Sequence, residues 1–319
     1  LEPTMDNFKD KIAVVTGGGT GMGRELVRQL AKENCHVAMC DVIEENMQET
    51  LSIAKKESPD VKITSHVCDV SNNKDVEEFK NQVLEDHDTE SINLLFNNAG
   101  IGGGGSFVSG DISDWERTFA VCWYGVYYCS RAFMPALLKC DEGHVINTSS
   151  VNGFWAAIGG MPHTSYSAAK FAVKGFSEAL IHDFRHNAPH LGVSVVMPGH
   201  IGTSIAINSG KVLGHVDPLE MSDEDAQRSK DLWISMGAPY DNYSLDQIRQ
   251  LIKDRGEEFK NSAPTSASQA AEVILNGVKE NQWRILIGED AKVLDQKVRS
   301  TPEKAYDEDF LYPVRGEEG

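Results

Sequence analysis

The residues best suited to catalysis lie between Thr164 and Lys170, where a tyrosine precedes a lysine by four positions. On a helix, Tyr166 and Lys170 lie on the same face, one above the other. A phenol with a pKa of ~10 is a poor acid or base at neutral pH, but an adjacent ammonium group favours the phenolate. Tyr166 is therefore predicted to titrate below free tyrosine and to pass a proton. The alternative is that the pair only packs a ring against an aliphatic stem.

A glycine-rich turn lies near the start of the sequence. Residues 11–16 form an apolar, β-branched run, residues 17–23 read Gly-Gly-Gly-Thr-Gly-Met-Gly, and residues 24–33 are amphipathic. This pattern predicts a strand, a turn and a helix. Glycines let a pyrophosphate approach the backbone, and the first helical turn offers unpaired N–H groups and the positive end of a dipole. The sequence therefore favours dinucleotide binding over a plain loop.

Two carboxylates end the next two predicted strands. Asp41 closes the run 36–41, about 20 residues after the glycine turn, as expected of an acid that binds the adenosine ribose hydroxyls. This position predicts NAD rather than NADP, and the alternative is a helix N-cap. Asp69 either faces the adenine amino group or only closes a turn.

Predicted strands and helices alternate through the first two thirds of the chain. Three further strands each end in a polar or small-residue turn: residues 92–96 before Asn97, 144–148 before Ser149, and 192–197 before Pro198. The alternation predicts an α/β fold, a doubly wound and mostly parallel sheet of about seven strands in three αβα layers. Ligands bind at the carboxyl ends of the strands in such sheets, where all these turns lie.

Five motifs resemble those of the short-chain dehydrogenase/reductase family in their order and approximate spacing. They are Thr16-Gly17-x-x-x-Gly21-x-Gly23, Asn97-Asn98-Ala99-Gly100, Ser150, Tyr166-x-x-x-Lys170 and Pro198-Gly199. The resemblance covers residues 11–203 and implies a Rossmann-type, NAD(P)-binding catalytic domain.

The same resemblance implies roles for individual residues. Tyr166 would be the general acid/base, Lys170 would lower its pKa and hold the nicotinamide ribose, and Ser150 would hydrogen-bond the substrate oxygen. Ser150 is preferred to Ser149 because Gly153 follows it at the family's spacing. The predicted cofactor-binding residues are Gly17, Gly19, Thr20, Gly21, Met22, Gly23, Asp41, Asp69, Val70, Asn97, Ala99, Gly100, Tyr166, Lys170, Pro198, Gly199, Ile201 and Thr203.

One position departs from the family. The helix asparagine that supports a proton-relay water is expected at Cys122, and a thiol is a weak hydrogen-bonding group. The function implied is NAD(H)-dependent interconversion of a secondary alcohol and a ketone. The alternatives are a nucleotide-binding scaffold or sensor with weak or no activity, an NADP-dependent carbonyl reductase, and epimerisation or dehydration on the same fold.

Residues 204–262, called the lid segment below, are polar overall but carry isolated large apolar residues such as Trp233 and Tyr240. This composition predicts a helical insertion that closes over the substrate, or one that only packs on itself. Aromatic residues and methionines in this segment favour a bulky, apolar substrate. The chain is predicted to form a single domain over residues 5–319, with a C-terminal extension over residues 289–319.

The composition of the chain argues against some classes of binding partner. The chain has 319 residues and a formal net charge of −18, which argues against nucleic acid or an anionic membrane surface. Apolar runs fall short of the ~18 residues that a membrane span needs. Six scattered cysteines without a Cys-x-x-Cys pair predict a reducing, cytoplasmic location. The sequence shows no metal-ligand spacing, and a long aromatic helix predicted over residues 113–139 favours a homodimer or homotetramer.

Overall fold

The computed structural model describes residues 5–157, 162–235, 237–307 and 310. Seven strands form one parallel sheet in the order β3-β2-β1-β4-β5-β6-β9, and the short strands β7 and β8 pair separately. The strands are β1 (Ile12–Thr16), β2 (His36–Asp41), β3 (Ile63–Val67), β4 (Leu94–Asn97), β5 (Gly143–Thr148), β6 (Leu191–Pro198), β7 (Ile201–Gly202), β8 (Thr265–Ser266) and β9 (Arg284–Ile287).

Helices cover both faces of the sheet. They are α1 (Gly21–Lys32), α2 (Glu44–Glu57), α3 (Asn73–Asp86), α4 (Ile112–Phe119), α5 (Gly125–Leu137), α6 (Thr164–Asn187), α7 (Ile205–Val212), α8 (Asp223–Ser235), α9 (Leu245–Asn261), α10 (Ala267–Lys279) and α11 (Glu289–Ser300). One core lies between the sheet and α1, α2 and α10, and a second lies between the sheet and α3, α5 and α6. The predicted doubly wound α/β architecture in three layers is confirmed.

The order of the strands places an opening beside β1. The chain builds β1, β2 and β3 outward in one direction and then returns to pair β4 with the other edge of β1. At this reversal the loops that follow β1 and β4 diverge, because their helices cover opposite faces of the sheet. A crevice at the carboxyl ends of the strands is the usual result.

The helix predicted over residues 113–139 runs from Ile112 to Leu137, but its hydrogen-bond pattern changes partway along. A π-helical turn, Ala120–Tyr124, joins α4 to α5, and α5 contains Pro135 and ends at Leu137. The irregularity therefore lies at the π-turn and not at the proline. The N-cap of α3 is Asn72, whose side chain accepts from the Lys74 N–H, rather than the preceding Ser71.

The lid segment contains α7, α8, α9 and a short 3₁₀ turn, Pro218–Glu220. Each of its helices buries one residue, which is Ser209 in α7, Ala226 in α8 and Ile248 in α9. The extension that follows β9 contains α11 and the 3₁₀ turn Pro302–Lys304. Residues 311–319 of that predicted extension lie outside the described residues.

Candidate active site

The crevice beside β1 is a cleft with an empty volume of ≈ 840 Å³. Ten of the predicted cofactor-binding residues line it: Gly17, Thr20, Gly21, Met22, Asp41, Asp69, Val70, Ala99, Gly100 and Thr203.

The glycine turn has a shape that side chains would destroy. Gly17 has a φ of 68°, and a Cβ there would lie 2.8 Å from the Ala99 Cα. A Cβ on Gly23 would lie 2.0 Å from the Gly17 carbonyl oxygen, so α1 can begin here only with glycine at this position. Thr20, the N-cap of α1, makes no side-chain capping bond. The first-turn N–H groups of a helix and an open backbone surface suit a pyrophosphate.

Asp41 closes one end of the cleft and is not the N-cap of α2, which is Ile43. Its carboxylate accepts hydrogen bonds from the Gly19 N–H at 2.9 Å and from the Ile43 N–H at 3.0 Å. Arg24, the nearest cation to the glycine turn, is paired with Glu49 at 2.6 Å and donates to the Gly19 carbonyl. This end of the cleft therefore presents a carboxylate, while the guanidinium is already neutralised.

Asp69 lies in the cleft next to Arg117, which the sequence did not single out. The Arg117 guanidinium lies 2.7 Å from the Asp69 carboxylate, which also accepts from the Ser71 N–H. Burial raises the pKa of Asp69, but the hydrogen bonds from Ser71 and Arg117 outweigh burial and lower it. Asp69 therefore both lines the cleft and closes a turn, so the two sequence interpretations are not exclusive.

The predicted catalytic residues meet beyond the Ala99–Gly100 turn. Tyr166 and Lys170 lie one turn apart on α6, with the lysine Nζ 5.4 Å from the centre of the tyrosine ring. Lys170 is 2% exposed and donates to the Thr148 carbonyl at 2.9 Å. A Cβ added to Gly100 would lie 3.4 Å from this Nζ. The ammonium group is therefore held between the end of β5, the phenol and the cleft.

Ser150 and Ser149 make different contacts. The Ser150 hydroxyl accepts from the Asn152 N–H at 3.1 Å and forms a hydrogen bond with Tyr166. The Ser149 hydroxyl donates to the Lys170 carbonyl at 2.7 Å. The Ser149 hydroxyl therefore fixes the backbone of α6, whereas the Ser150 hydroxyl faces the Tyr166 phenol.

The pKa of Tyr166 differs from the sequence expectation. Burial raises the pKa of the phenol, Lys170 and the hydrogen bond from Ser150 lower it, Cys122 raises it, and the sum is an upward shift. The sequence argument identified the sign of the lysine effect correctly. Its expectation that the group titrates below free tyrosine is wrong for this chain by itself, because the loss of solvation outweighs the ammonium charge.

Cys122 lies in the π-turn that interrupts the α4–α5 helix. Its side chain is fully buried, and the thiol donates to the Ile101 carbonyl at 3.2 Å. A Cβ on Gly100 would lie 3.8 Å from its sulfur. Cys122 therefore lies close to Gly100 and Tyr166, and its thiol hydrogen-bonds to the backbone.

Several predicted residues lie outside the lining of the cleft. Asn97 is buried, and its amide donates to Ser130 at 2.9 Å and to Asn147 at 2.8 Å. Its neighbour Asn98 lines the cleft and donates to the Thr16 carbonyl. Gly19 lies against Asp41, whereas Ile201 belongs to the core. Supporting roles for these residues remain predictions.

Part of the lid segment crosses the cleft. The Asn208 amide on α7 donates to the Thr20 hydroxyl at 3.2 Å, and the Gly102 N–H donates to the Ser209 hydroxyl at 2.8 Å. Both residues line the cleft. The spacing of polar residues in α7 gave no signal of this contact. Thr203, which immediately precedes the segment, lies against Gly21, where a Cβ would approach its methyl group to 3.0 Å.

Trp233 and Tyr240 pack within the lid segment. Their ring centres are 5.6 Å apart, and the Arg255 guanidinium lies 4.2 Å from the centre of the tryptophan ring. Tyr243 completes the cluster at 4.9 Å from Tyr240. These aromatic residues join α8 to α9, so closure over a ligand remains a prediction for them.

The loop that follows Ser150 rests on the C-terminal extension. The Trp155 indole N–H donates to the Ala305 carbonyl at 2.6 Å, and its ring packs 5.8 Å from that of Phe310. The Tyr306 hydroxyl accepts from the Ala156 N–H at 3.1 Å. The extension therefore supports the loop that follows Ser150.

Comparison with known proteins agrees with this geometry. The short chain dehydrogenase family is matched over residues 11–212, and the chain belongs to that family. A putative oxidoreductase, SadH, of Mycobacterium tuberculosis is 30% identical over 295 residues, which cover 92% of each protein. Meso-2,3-butanediol dehydrogenase of Serratia marcescens is 33% identical over 62% of this chain and 74% of its own length.

A solved structure is also similar over almost the whole chain. It is a short chain dehydrogenase/reductase of Burkholderia phymatum in complex with NAD, with a TM-score of 0.74, 27% identity, and coverage of 94% of this chain and 95% of that one. The protein is thus an oxidoreductase of a family that binds NAD(P). Within the described ranges, none of the helices combines the length and apolar character needed to cross a membrane.

Proposed function

We propose that this protein is an NAD(H)-dependent dehydrogenase that interconverts a secondary alcohol and a ketone. The observation that carries the proposal is the meeting of Ser150, Tyr166 and Lys170 on one wall, next to a cleft built for a dinucleotide. A phenol that a buried ammonium group and a serine hydroxyl both contact is suited to receive a proton from an alcohol.

In the oxidative direction, the Tyr166 phenolate takes the proton of the substrate hydroxyl while Ser150 hydrogen-bonds the same oxygen. The Asn152 N–H occupies an acceptor site of the Ser150 oxygen, which leaves its O–H free to donate. Lys170 stabilises the phenolate through its charge. A bound NAD would supply the acceptor for the hydride of the carbinol carbon and a positive charge that favours the phenolate. In reduction, Tyr166 gives the proton back to the ketone oxygen.

The preference for NAD rests on Asp41 and Arg24. A carboxylate whose oxygens already accept backbone N–H bonds is held at the cleft end, where it repels a 2′-phosphate and can accept from a ribose hydroxyl. The cation that could offset it is paired with Glu49. These contacts favour NAD over NADP for this chain.

The most direct experiment is NADH formation across a panel of secondary alcohols that differ in bulk and polarity, monitored at 340 nm. We expect turnover with the bulky, apolar alcohols. The Tyr166→Phe variant is the matched control and is expected to be inactive. Binding of NAD without turnover anywhere on the panel would favour a nucleotide-binding scaffold or sensor. Product without net NADH would indicate epimerisation or dehydration, and turnover with NADPH alone would indicate an NADP-dependent carbonyl reductase.

We also propose a homo-oligomer and a cytoplasmic location. A groove between α5 and α6 is lined mainly by apolar side chains, and Tyr127 on its rim is 42% exposed. Exposed apolar surface of this kind is typical of a contact between subunits. All six cysteines are free, which suits a reducing compartment. Sedimentation velocity of the wild type and of Tyr127→Asp tests the oligomer, and dissociation by the variant is expected.

A further inference from the structure

The turn after β6 is tied to β9 and to the C-terminal extension through two backbone N–H groups. The Gly199 N–H donates to the Ile287 carbonyl at 2.9 Å, and the His200 N–H donates to the Asp290 carboxylate at 2.7 Å. This turn leads through β7 to Thr203, which lies against the glycine turn. The position of one wall of the cleft therefore depends on how residues 199 and 200 are held.

The Asp290 carboxylate fits into a space made by two glycines. A Cβ on Gly199 would lie 2.2 Å from one carboxylate oxygen, and a Cβ on Gly288 would lie 2.2 Å from the other. Gly288 also has a φ of 94°, which few other residues adopt. Asp290 lies in the first turn of α11, where a carboxylate is favoured by the helix dipole. The backbone of His200 is thus fixed in place.

The imidazole of His200 extends from this fixed point to the lid segment. Its Nε2 lies 2.7 Å from the Phe259 carbonyl oxygen, and the His200 and Phe259 rings are 4.3 Å apart. Because a carbonyl oxygen only accepts, Nε2 carries the proton in this bond. His200 therefore connects the turn, the extension and the last turn of α9.

Other side-chain contacts of α9 are made largely within the lid segment. Arg249 donates to the Met221 carbonyl and pairs with Asp223, and Arg255 packs on Trp233. On the body side, the Lys260 carbonyl lies close to Gly202, where a Cβ would approach it to 2.7 Å. The end of α9 is thus held to the body near β7, and His200 supplies a directional bond there.

We propose that His200 is a positioning residue that sets the orientation of the lid segment relative to the turn ending at Thr203. This inference rests on the proposed function, since the lid matters to catalysis only if a substrate is enclosed. The imidazole acts through α9 and touches no reacting atom. Its loss is expected to loosen the C-terminal half of α9 and to weaken substrate capture more than it slows chemistry.

The test compares His200→Ala and His200→Gln, because glutamine can still donate a hydrogen bond from a similar distance. Amide hydrogen exchange over residues 245–261 is measured on the full chain without substrate. We expect about fivefold faster exchange in His200→Ala, the ratio that a net hydrogen bond of ~1 kcal/mol represents, and recovery of most protection in His200→Gln. With a turned-over alcohol, KM should rise about fivefold in the alanine variant while kcat changes less than twofold.

His215→Ala is the matched control. The His215 Nε2 contacts Asp114 at 2.8 Å, so this variant also removes a histidine bond between the lid segment and the body, but at the end of α7. Exchange in α9 should not change there. Unchanged α9 exchange in His200→Ala, no rescue by glutamine, or an equal effect of His215→Ala would overturn the inference. Because exchange needs no substrate, an inactive alcohol panel would overturn the proposed function without deciding this result.

Discussion

Helix α6 and the lid segment are built in opposite ways. Helix α6, which carries Tyr166 and Lys170, buries eight residues, of which Ala169, Leu180 and Phe184 belong to the second core. Each helix of the lid segment buries one residue, and the segment is joined to the body by a few polar contacts such as Asn208 to Thr20. Moving Tyr166 or Lys170 would disrupt much of the core packing, whereas moving the lid segment would break only a few hydrogen bonds. Regions with few buried contacts open at low free energy.

The largest effect is expected at the phenol. Tyr166→Phe removes one oxygen from a side chain that the core already holds, so the melting temperature and the NAD dissociation constant should hardly change. Loss of the proton-transfer group should lower kcat by about 100- to 10,000-fold. Calorimetry and steady-state kinetics on the same preparation check both halves. Near-normal turnover in this variant would remove Tyr166 from the mechanism.

Lys170→Met is expected to move the pH profile. Lys170 lowers the pKa of Tyr166, so without it that pKa rises further. Oxidation needs the phenolate, and its rising limb should therefore shift to higher pH, with turnover at a fixed pH below the limb falling about tenfold for each pKa unit. The limb of the reductive reaction, which needs the protonated phenol, should shift in the same direction. A profile that stays in place would show that the ammonium charge is not felt by the phenol.

A smaller effect is expected at the cofactor end of the cleft. Asp41→Asn keeps an oxygen that can accept from the Gly19 N–H but removes the charge that repels a 2′-phosphate. The ratio of NAD affinity to NADP affinity should fall by about tenfold, equivalent to ~1.4 kcal/mol.

Glu49→Gln sharpens this test, because it frees Arg24 without altering Asp41. NADP affinity should rise further when the two substitutions are combined. Titration calorimetry with each cofactor measures the ratio. An unchanged ratio in both variants would show that Asp41 does not select the cofactor.

The smallest effect on turnover is expected in the lid segment. Trp233→Ala removes the ring between Tyr240 and Arg255, so proteolysis between residues 204 and 262 should become faster. Because these residues lie away from the reacting groups, kcat should stay within about threefold and the change should appear in KM. NAD with a substrate analogue should protect the wild-type segment. Without such protection, the mobile-lid interpretation fails and the cluster is only packing.

Local sequence patterns explain why several residues of the candidate site could be predicted. The spacing of Tyr166 and Lys170 follows the helical period, and Asp41 stands at a strand end at a fixed distance from a glycine turn. Each of these signals lies within about 30 residues of sequence. The fold class followed from the alternation of strands and helices, because parallel strands need crossover helices.

Features that depend on contacts between distant parts of the chain could not be predicted from the sequence. The pKa of Tyr166 depends on how completely the folded protein excludes water from its ring, and the residues next to it in sequence do not reveal this. The pairing of Asp69 with Arg117 joins residues 48 positions apart, and His200 meets Asp290 across 90 positions. Only three-dimensional packing selects such contacts.

The support of Trp155 by Ala305 and Phe310 also has a consequence for the order of folding. Trp155 and Ala305 are 150 positions apart, so the loop beyond Ser150 leaves the ribosome long before its support is made. At a typical synthesis rate of about 5–20 residues per second, that interval is roughly 8–30 seconds. The sheet up to β6 can assemble during this time, whereas the loop that follows Ser150 still lacks its contacts with Ala305 and Phe310. Catalytic competence should therefore appear later in folding than the parallel sheet itself.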